Sequence, residues 1–218
     1  MSRPTLARQR AARAELGDWF ATQGWTPLRF QREDWRRYLA GESGLLHTPT
    51  GSGKTLAVYG GPLIEALATR AVAAPAPSRR RRRDRRPLRL VGVTPLRALA
   101  ADTVRALRAP AEALGLDWQV GHRTGDASAR DKRLAREGGL DALVTTPESL
   151  ALLLSYPDTA PRLAELDAVV VDEWHELLGN KRGVLLQLAL ARLRRLNPAL
   201  RIWGVSATLG NLDEARDA

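Results

Sequence analysis

Lys54 and Thr55 close the turn Thr48-Pro49-Thr50-Gly51-Ser52-Gly53, and residues of these types at this spacing can hold a polyphosphate. Glycines at 51 and 53 let the backbone aim its N–H groups at phosphate oxygens, Lys54 can reach the β- and γ-phosphates, and Thr55 can set a hydroxyl on Mg2+. A short apolar run, Gly44 to His47, precedes the turn, and a helix-like stretch, Leu56 to Arg70, follows it, so the positive end of a helix dipole adds to the attraction. Thr50, Gly51, Ser52, Gly53, Lys54 and Thr55 are therefore the predicted nucleotide cradle. Thr48 stands where the pattern G-x-x-x-x-G-K-[ST] has its first glycine, so the strict motif is missed by one residue. A dinucleotide fingerprint is a poorer match, because Leu56 fills the third glycine position of G-x-G-x-x-G.

A second chemical pair is Asp172-Glu173, directly after the apolar run Ala168 to Val171. Beside a phosphate loop, Asp172 would hold Mg2+ and Glu173 would polarise the water that attacks the γ-phosphate. Taken alone, such a pair is more often an exposed acidic turn capping the next helix. His175-Glu176-Leu177-Leu178-Gly179 fails the zinc pattern H-E-x-x-H at its last position, and the chain holds three histidines and no cysteine, so a zinc site has little support. His175 reads as a hydrogen-bonding neighbour of the two carboxylates, with a buried structural histidine as the alternative.

Six apolar runs bounded by turn signals could position these groups: Leu45-Leu46-His47, Leu88 to Thr94, Trp118 to His122, Ala142 to Thr146, Ala168 to Asp172 and Ile202 to Ser206. Helical patterns lie between them, as in Gln187 to Leu196, which Asn197-Pro198 stops. Strand alternating with helix predicts an α/β fold, a mostly parallel sheet with helices on both faces. Ligands then bind beyond the carboxyl ends of the strands. Thr94-Pro95 and Thr146-Pro147 follow two of those ends, each predicted to cap a helix with its threonine and to offer free N–H groups to a phosphate.

The composition suits a globular domain, with 44% hydrophobic and 27% charged residues in 218. No run approaches the roughly 18 apolar residues of a membrane span, and Met1 to Asp18 lacks a signal peptide's apolar stretch, which predicts a cytoplasmic protein with no membrane association. Of the net charge of +10, Arg79 to Arg86 supply +6, leaving the rest only mildly basic. The stretch 71–87, alanine- and proline-biased and then arginine-rich, is predicted to be a disordered insertion within one domain spanning 24–218, after an N-terminal helical segment, 1–23.

In order along the chain, Gln31, TPTGSGKT, Thr94-Pro95-Leu96-Arg97-Ala98-Leu99, Thr124-Gly125-Asp126, TTPES, Asp172-Glu173-Trp174-His175 and Ser206-Ala207-Thr208 resemble the first RecA-like domain of a superfamily 2 DEXH-box helicase. The wording of DEWHELLG, of the KRG after it and of SATLGNL is more narrowly similar to the large-helicase-related family, in particular its ligase-associated DEXH-box subgroup. The resemblance covers roughly Gly24 to Asn211.

It implies ATP and Mg2+ as cofactors, with Gln31 recognising adenine, Lys54 and Glu173 catalytic together with His175, and Thr55 and Asp172 on the metal. It further implies that Thr94, Arg97 and Thr146 touch the phosphates of a single strand, positioning it without reading its sequence. Ser206 and Thr208 would couple the nucleotide to that grip. The track would be single-stranded DNA, with RNA or a hybrid as alternatives, and a repair ligase and a nuclease would be partners. Family members continue into a second RecA-like domain that carries an arginine finger, so the chain is expected to be C-terminally truncated and, by itself, inactive in unwinding. Two rival readings remain at this point, a P-loop phosphotransferase and a non-catalytic nucleic-acid-binding module.

Overall fold

The computed structural model describes residues 4–49, 51–70 and 86–207. Their centre is a six-stranded sheet built from β1 (Gly44–His47), β2 (Leu90–Val93), β3 (Val120–Arg123), β4 (Ala142–Thr145), β5 (Ala168–Val171) and β6 (Arg201–Ser206). The strands lie in the order β1-β6-β5-β2-β4-β3, all pairings parallel. All six predicted strands are present, with ends displaced by up to two residues, and the fold is the predicted α/β one.

Both faces of the sheet are covered, which a parallel sheet requires, and the alternation of side chains along each strand divides them. Leu90, Ala142, Val144, Ala168, Val170, Trp203 and Val205 face one core, shared with α1 (Leu6–Thr22), α2 (Arg29–Ala40), α3 (Lys54–Arg70) and α4 (Arg97–Ala113). Val91, Val93, Leu143, Val169 and Val171 face a second core. That core is closed by α5 (Ala129–Glu137), α6 (Pro147–Ser155), α7 (Ala160–Leu163) and α8 (Lys181–Leu196). The N-terminal helix shares the first core, through Ala12, Leu16 and Phe20.

Close packing of α2 on α3 explains two glycines of α3. A side-chain carbon on Gly60 would come within 2.1 Å of the Trp35 indole nitrogen, and one on Gly61 within 2.6 Å of the Tyr38 ring. With both absent, α2 lies directly on α3 and the Trp35 N–H donates to the Leu56 carbonyl at 2.9 Å. Helix α8 begins six residues before its predicted start, because Asn180 caps it by accepting from the N–H groups of Arg182 and Gly183 at 3.0 Å each.

At the amino ends of the strands, arginines close on carboxylates. Arg201 opens β6 and bonds both oxygens of Glu65, at 3.1 and 2.7 Å, beneath the ring of Tyr38, whose hydroxyl donates to the same carboxylate. Arg86 is 8% exposed and bonds Asp141 at 2.7 Å and Asp117 at 2.8 Å. This corrects the predicted insertion at its end: Arg86 belongs to the packed structure, because its position before β2 brings it against carboxylates that precede β3 and β4. Arg79 to Arg85 lie outside the described residues.

Candidate nucleotide and nucleic-acid site

The phosphate loop leaves β1 and turns on two glycines in the left-handed region, Gly51 at φ 79° and Gly53 at φ 85°, where other residues are strained. Thr48 continues the sheet by donating its N–H to Ser206 at 3.2 Å, and its hydroxyl lies 3.1 Å from that of Ser52. Lys54 then opens α3 and is buried, with Thr55 beside it. Thr50, part of the predicted cradle, lies outside the described residues.

Gln31, predicted at the adenine, is 3% exposed and spans two backbone groups. Its side-chain oxygen accepts from the Leu28 N–H at 2.8 Å and its amide donates to the Gly53 carbonyl at 3.0 Å. In this structure it ties the start of α2 to the phosphate loop, leaving one amide hydrogen uncommitted to those two contacts.

Strand β6 lies between β1 and β5, so the ends of these three strands bring together segments far apart in sequence. The Lys54 ammonium stands 3.4 Å from Glu173 Oε1, across 119 residues. Glu173 holds φ 47° and ψ 49°, a left-handed conformation that costs a residue with a side chain about 1–3 kcal/mol. The Glu173 N–H meets that cost in part by donating to Asp172 Oδ1 at 2.9 Å. His175 Nδ1 and the buried Ser206 hydroxyl share a hydrogen bond of 2.9 Å, and the same nitrogen lies 3.5 Å from Glu173 Oε2. His175 thus touches the ends of both β5 and β6. Thr208 lies outside the described residues.

Burial, and then the repulsion of Glu173, raise the Asp172 carboxyl above its usual range, while the Glu173 N–H, Lys54 and His175 pull the other way. A cation there would relieve both causes. Among the described residues no three His, Cys, Asp or Glu side chains gather to hold a metal. Mg2+ needs no such cage, since it keeps its waters and is commonly held by one or two protein oxygens together with substrate phosphates. One carboxylate, one threonine hydroxyl and a glycine-rich helix start fit ATP with Mg2+: Asp172 and Thr55 would hold the ion, and Gly51 to Lys54 the phosphates.

The ends of β2, β4 and β3 form a second group, joined to the first where the Asp172 N–H donates to Val93 at 2.8 Å. Here one expectation fails. Thr94 is fully buried, extends the sheet by donating its N–H to Thr145 at 2.9 Å, and turns its hydroxyl onto the Leu96 carbonyl at 3.0 Å. It does not cap a helix, because the ladder holds it in the strand and α4 starts only at Arg97, after Leu96. Thr146 does cap α6, with Pro147 at the first helical position.

Arg97 is exposed and lies against Gly125, where an added side-chain carbon would meet its guanidinium at 3.2 Å. Asp126, nearby, is held below its usual range chiefly by a hydrogen bond with Thr124 and in smaller part by Arg97.

Three residues of this region, Arg123, Glu148 of TTPES and Arg182 of KRG, have no role assigned from the sequence. Arg123 ends β3, is 5% exposed, and stands 5.8 Å from the Tyr156 ring centre. Glu148, in the first turn of α6, receives a forked ion pair from Arg182 of α8, which pulls its carboxyl down to about 2. That pair joins the TTPES segment to the helix after DEWHELLG. The strand end at Arg123 was one residue beyond the apolar run, and no spacing rule links Glu148 with Arg182.

With this geometry in view, likeness to known proteins becomes informative. The family model described as DEAD/DEAH box helicase matches residues 28–215. An Lhr helicase of Mycolicibacterium smegmatis is 38% identical over 204 residues, covering 88% of this chain and 13% of the relative. The ATP-dependent helicase Lhr-Core of Methanocaldococcus jannaschii is 34% identical, covering 90% of this chain and 23% of the relative. The solved structure of Mycobacterium smegmatis helicase Lhr bound to ssDNA and AMP-PNP superposes with a TM-score of 0.73 at 34% identity, over 93% of this chain and 25% of that one. The chain spans a quarter or less of the length of these relatives.

Proposed function

The chain belongs to the DEAD/DEAH box helicase family, and we propose that it is the first RecA-like motor domain of an Lhr-type enzyme that couples ATP hydrolysis to movement along single-stranded nucleic acid. The observation that carries this reading is the meeting of Lys54 with Glu173 at 3.4 Å, beside the His175 contact with Ser206 at 2.9 Å. A phosphate lysine, a water-activating carboxylate and a link to the next strand occupy one corner of the sheet.

In this reading the Gly51 to Lys54 backbone and the Lys54 ammonium bind the β- and γ-phosphates, and Gln31 holds the loop while turning its free amide hydrogen to adenine. Mg2+, when bound by Thr55 and Asp172, neutralises charge that gathers on the phosphates during transfer. Glu173 orients the attacking water and takes its proton. Its contact with Lys54 at 3.4 Å supports that role. His175 senses that group through Glu173 and passes its state to Ser206.

Arg97, Thr146 and the N–H groups at the start of α6 grip the strand's phosphates at the far ends of β2 and β4, without reading bases. Thr94 serves that grip by fixing the Leu96 turn from below. DNA is the inferred track, supported by the Lhr relative solved with ssDNA. Partnership with a repair ligase and a nuclease rests on the wording of DEWHELLG and SATLGNL alone.

In the full-length protein, Lys54→Ala should abolish single-strand-stimulated release of phosphate from ATP and weaken binding of a fluorescent ATP analogue. Wild-type turnover in that variant, or transfer of phosphate to an acceptor other than water, would overturn the reading.

A further inference from the structure

Tyr59 lies one turn after Thr55 on α3, is 3% exposed, and its hydroxyl is buried with no hydrogen-bond partner among the described residues. Leaving a buried hydroxyl unpaired is costly, and a phenylalanine would avoid the cost. The hydroxyl reaches the sheet at Gly92, where a side-chain carbon would stand 2.6 Å from it. Gly92 is therefore the gap in β2 that admits the tyrosine's polar end.

That end is directed towards the metal corner. Residues 168, 170 and 172 alternate onto the face that α3 covers, and the Asp172 N–H is bonded to Val93, next to Gly92. One Asp172 oxygen is taken by the Glu173 N–H. A tyrosine hydroxyl is protonated at neutral pH and can donate.

We propose that Tyr59 is a positioning residue of the phosphate site, its hydroxyl donating through one water to the second Asp172 oxygen and so fixing the rotamer in which that carboxylate meets a divalent cation. The inference rests on the reading of Asp172 as the metal-holding carboxylate. It explains three features together: a polar atom where an apolar one would pack, a glycine in a central strand, and a carboxylate whose backbone neighbour occupies only one oxygen. In this reading the hydroxyl acts through Asp172.

The test is Mg2+-dependent binding of a fluorescent, non-hydrolysable ATP analogue to the full-length protein, comparing wild type with Tyr59→Phe and Asp172→Asn. Tyr59→Phe should raise the Mg2+ concentration at half-maximal binding by about three- to tenfold, the size of one hydrogen bond. Its metal-free analogue binding should stay at the wild-type level, and its metal-free melting temperature should equal or exceed that of wild type. Asp172→Asn should shift the Mg2+ midpoint further.

A Tyr59→Phe midpoint equal to wild type, with Asp172→Asn shifted, would overturn the role of the hydroxyl and leave the metal assignment standing. An unshifted Asp172→Asn would overturn the metal assignment and this inference with it. Gly92→Ala offers an independent check, since its added carbon displaces the hydroxyl without removing it. It should reproduce the Mg2+ shift in the Tyr59 protein and add nothing in the Tyr59→Phe background; a further shift there would count against the mechanism.

Discussion

The two ends of the sheet use charge in opposite ways. At the amino ends, Arg86 and Arg201 are nearly fully buried and meet their carboxylates at 2.7 to 3.1 Å in forked or shared bonds. At the carboxyl ends, Lys54 meets Glu173 at only 3.4 Å, and Glu173 Oε2 and the Tyr59 hydroxyl are buried with no hydrogen-bond partner among the described residues. Glu173 is also the one residue other than glycine with positive φ among those described. Ion-paired arginines hold one end together, although Arg86 Nε is itself buried without a hydrogen-bond partner among the described residues, while the other end carries backbone strain and uncommitted groups on residues with no forked ion pair. Mutations should therefore separate cleanly into those that cost stability and those that cost chemistry.

The largest effect is expected at the carboxyl end. Glu173→Gln removes the group assigned to take the water's proton, and ATP turnover by the full-length protein should fall by about 10²- to 10⁴-fold. Its melting temperature should change little, since the lysine contact it weakens is long and partly solvated. Steady-state turnover and a thermal melt on one preparation check both halves, and a large loss of stability would erase the contrast between the ends.

Arg201→Ala tests the amino end. It leaves Glu65 buried against Tyr38 without its guanidinium, and stranding a buried charge costs about 3–5 kcal/mol. Denaturant titration should show that loss, while the folded protein keeps wild-type affinity for the ATP analogue. A variant that folded normally and lost nucleotide binding would place Arg201 in the site's machinery instead. Arg86→Ala should follow the same pattern with a smaller loss, about 1–3 kcal/mol, because the Asp117 side chain is half exposed and can recover water.

Arg86 also shows where the sequence stops being legible. Seven arginines in eight positions look alike in a sequence, and only the place of the last one, before β2 and opposite Asp117 and Asp141, makes it a buried anchor. Strands β2, β4 and β5 were legible because full burial on both faces demands unbroken apolar runs, and the turn at Gly51 and Gly53 because left-handed backbone demands glycine. Thr146 and Thr94 look identical before their prolines, yet a ladder hydrogen bond holds only Thr94 in the strand and delays its helix. The Gln31 bridge to Gly53 and the pair of Glu148 with Arg182 depend on how helices pack, which no local spacing encodes.

The smallest expected effect concerns Asp34, a carboxylate with a buried oxygen but no hydrogen bond from an arginine to that oxygen among the described residues, in contrast to Glu65. Burial raises its carboxyl from 3.8 to about 6, against a weaker pull from Arg37. The folded protein then holds this proton more tightly than the unfolded chain does. Its contribution to stability is therefore present at low pH, is lost as pH rises from the unfolded value of 3.8 to the folded value of about 6, and is flat beyond. Asp34→Asn has no proton to lose. Because Asp141, Asp167 and Asp172 are also raised by burial, the informative quantity is the difference between variant and wild type and not either curve alone. That difference should grow in favour of the variant across this interval and level off near neutrality at about 1 kcal/mol, after allowance for solvent screening of a partly exposed group. Thermal melts at closely spaced pH values measure it. A constant difference across the range would mean that Asp34 titrates like an exposed carboxylate, and that its burial lacks the electrostatic cost that the arginines at the amino end relieve.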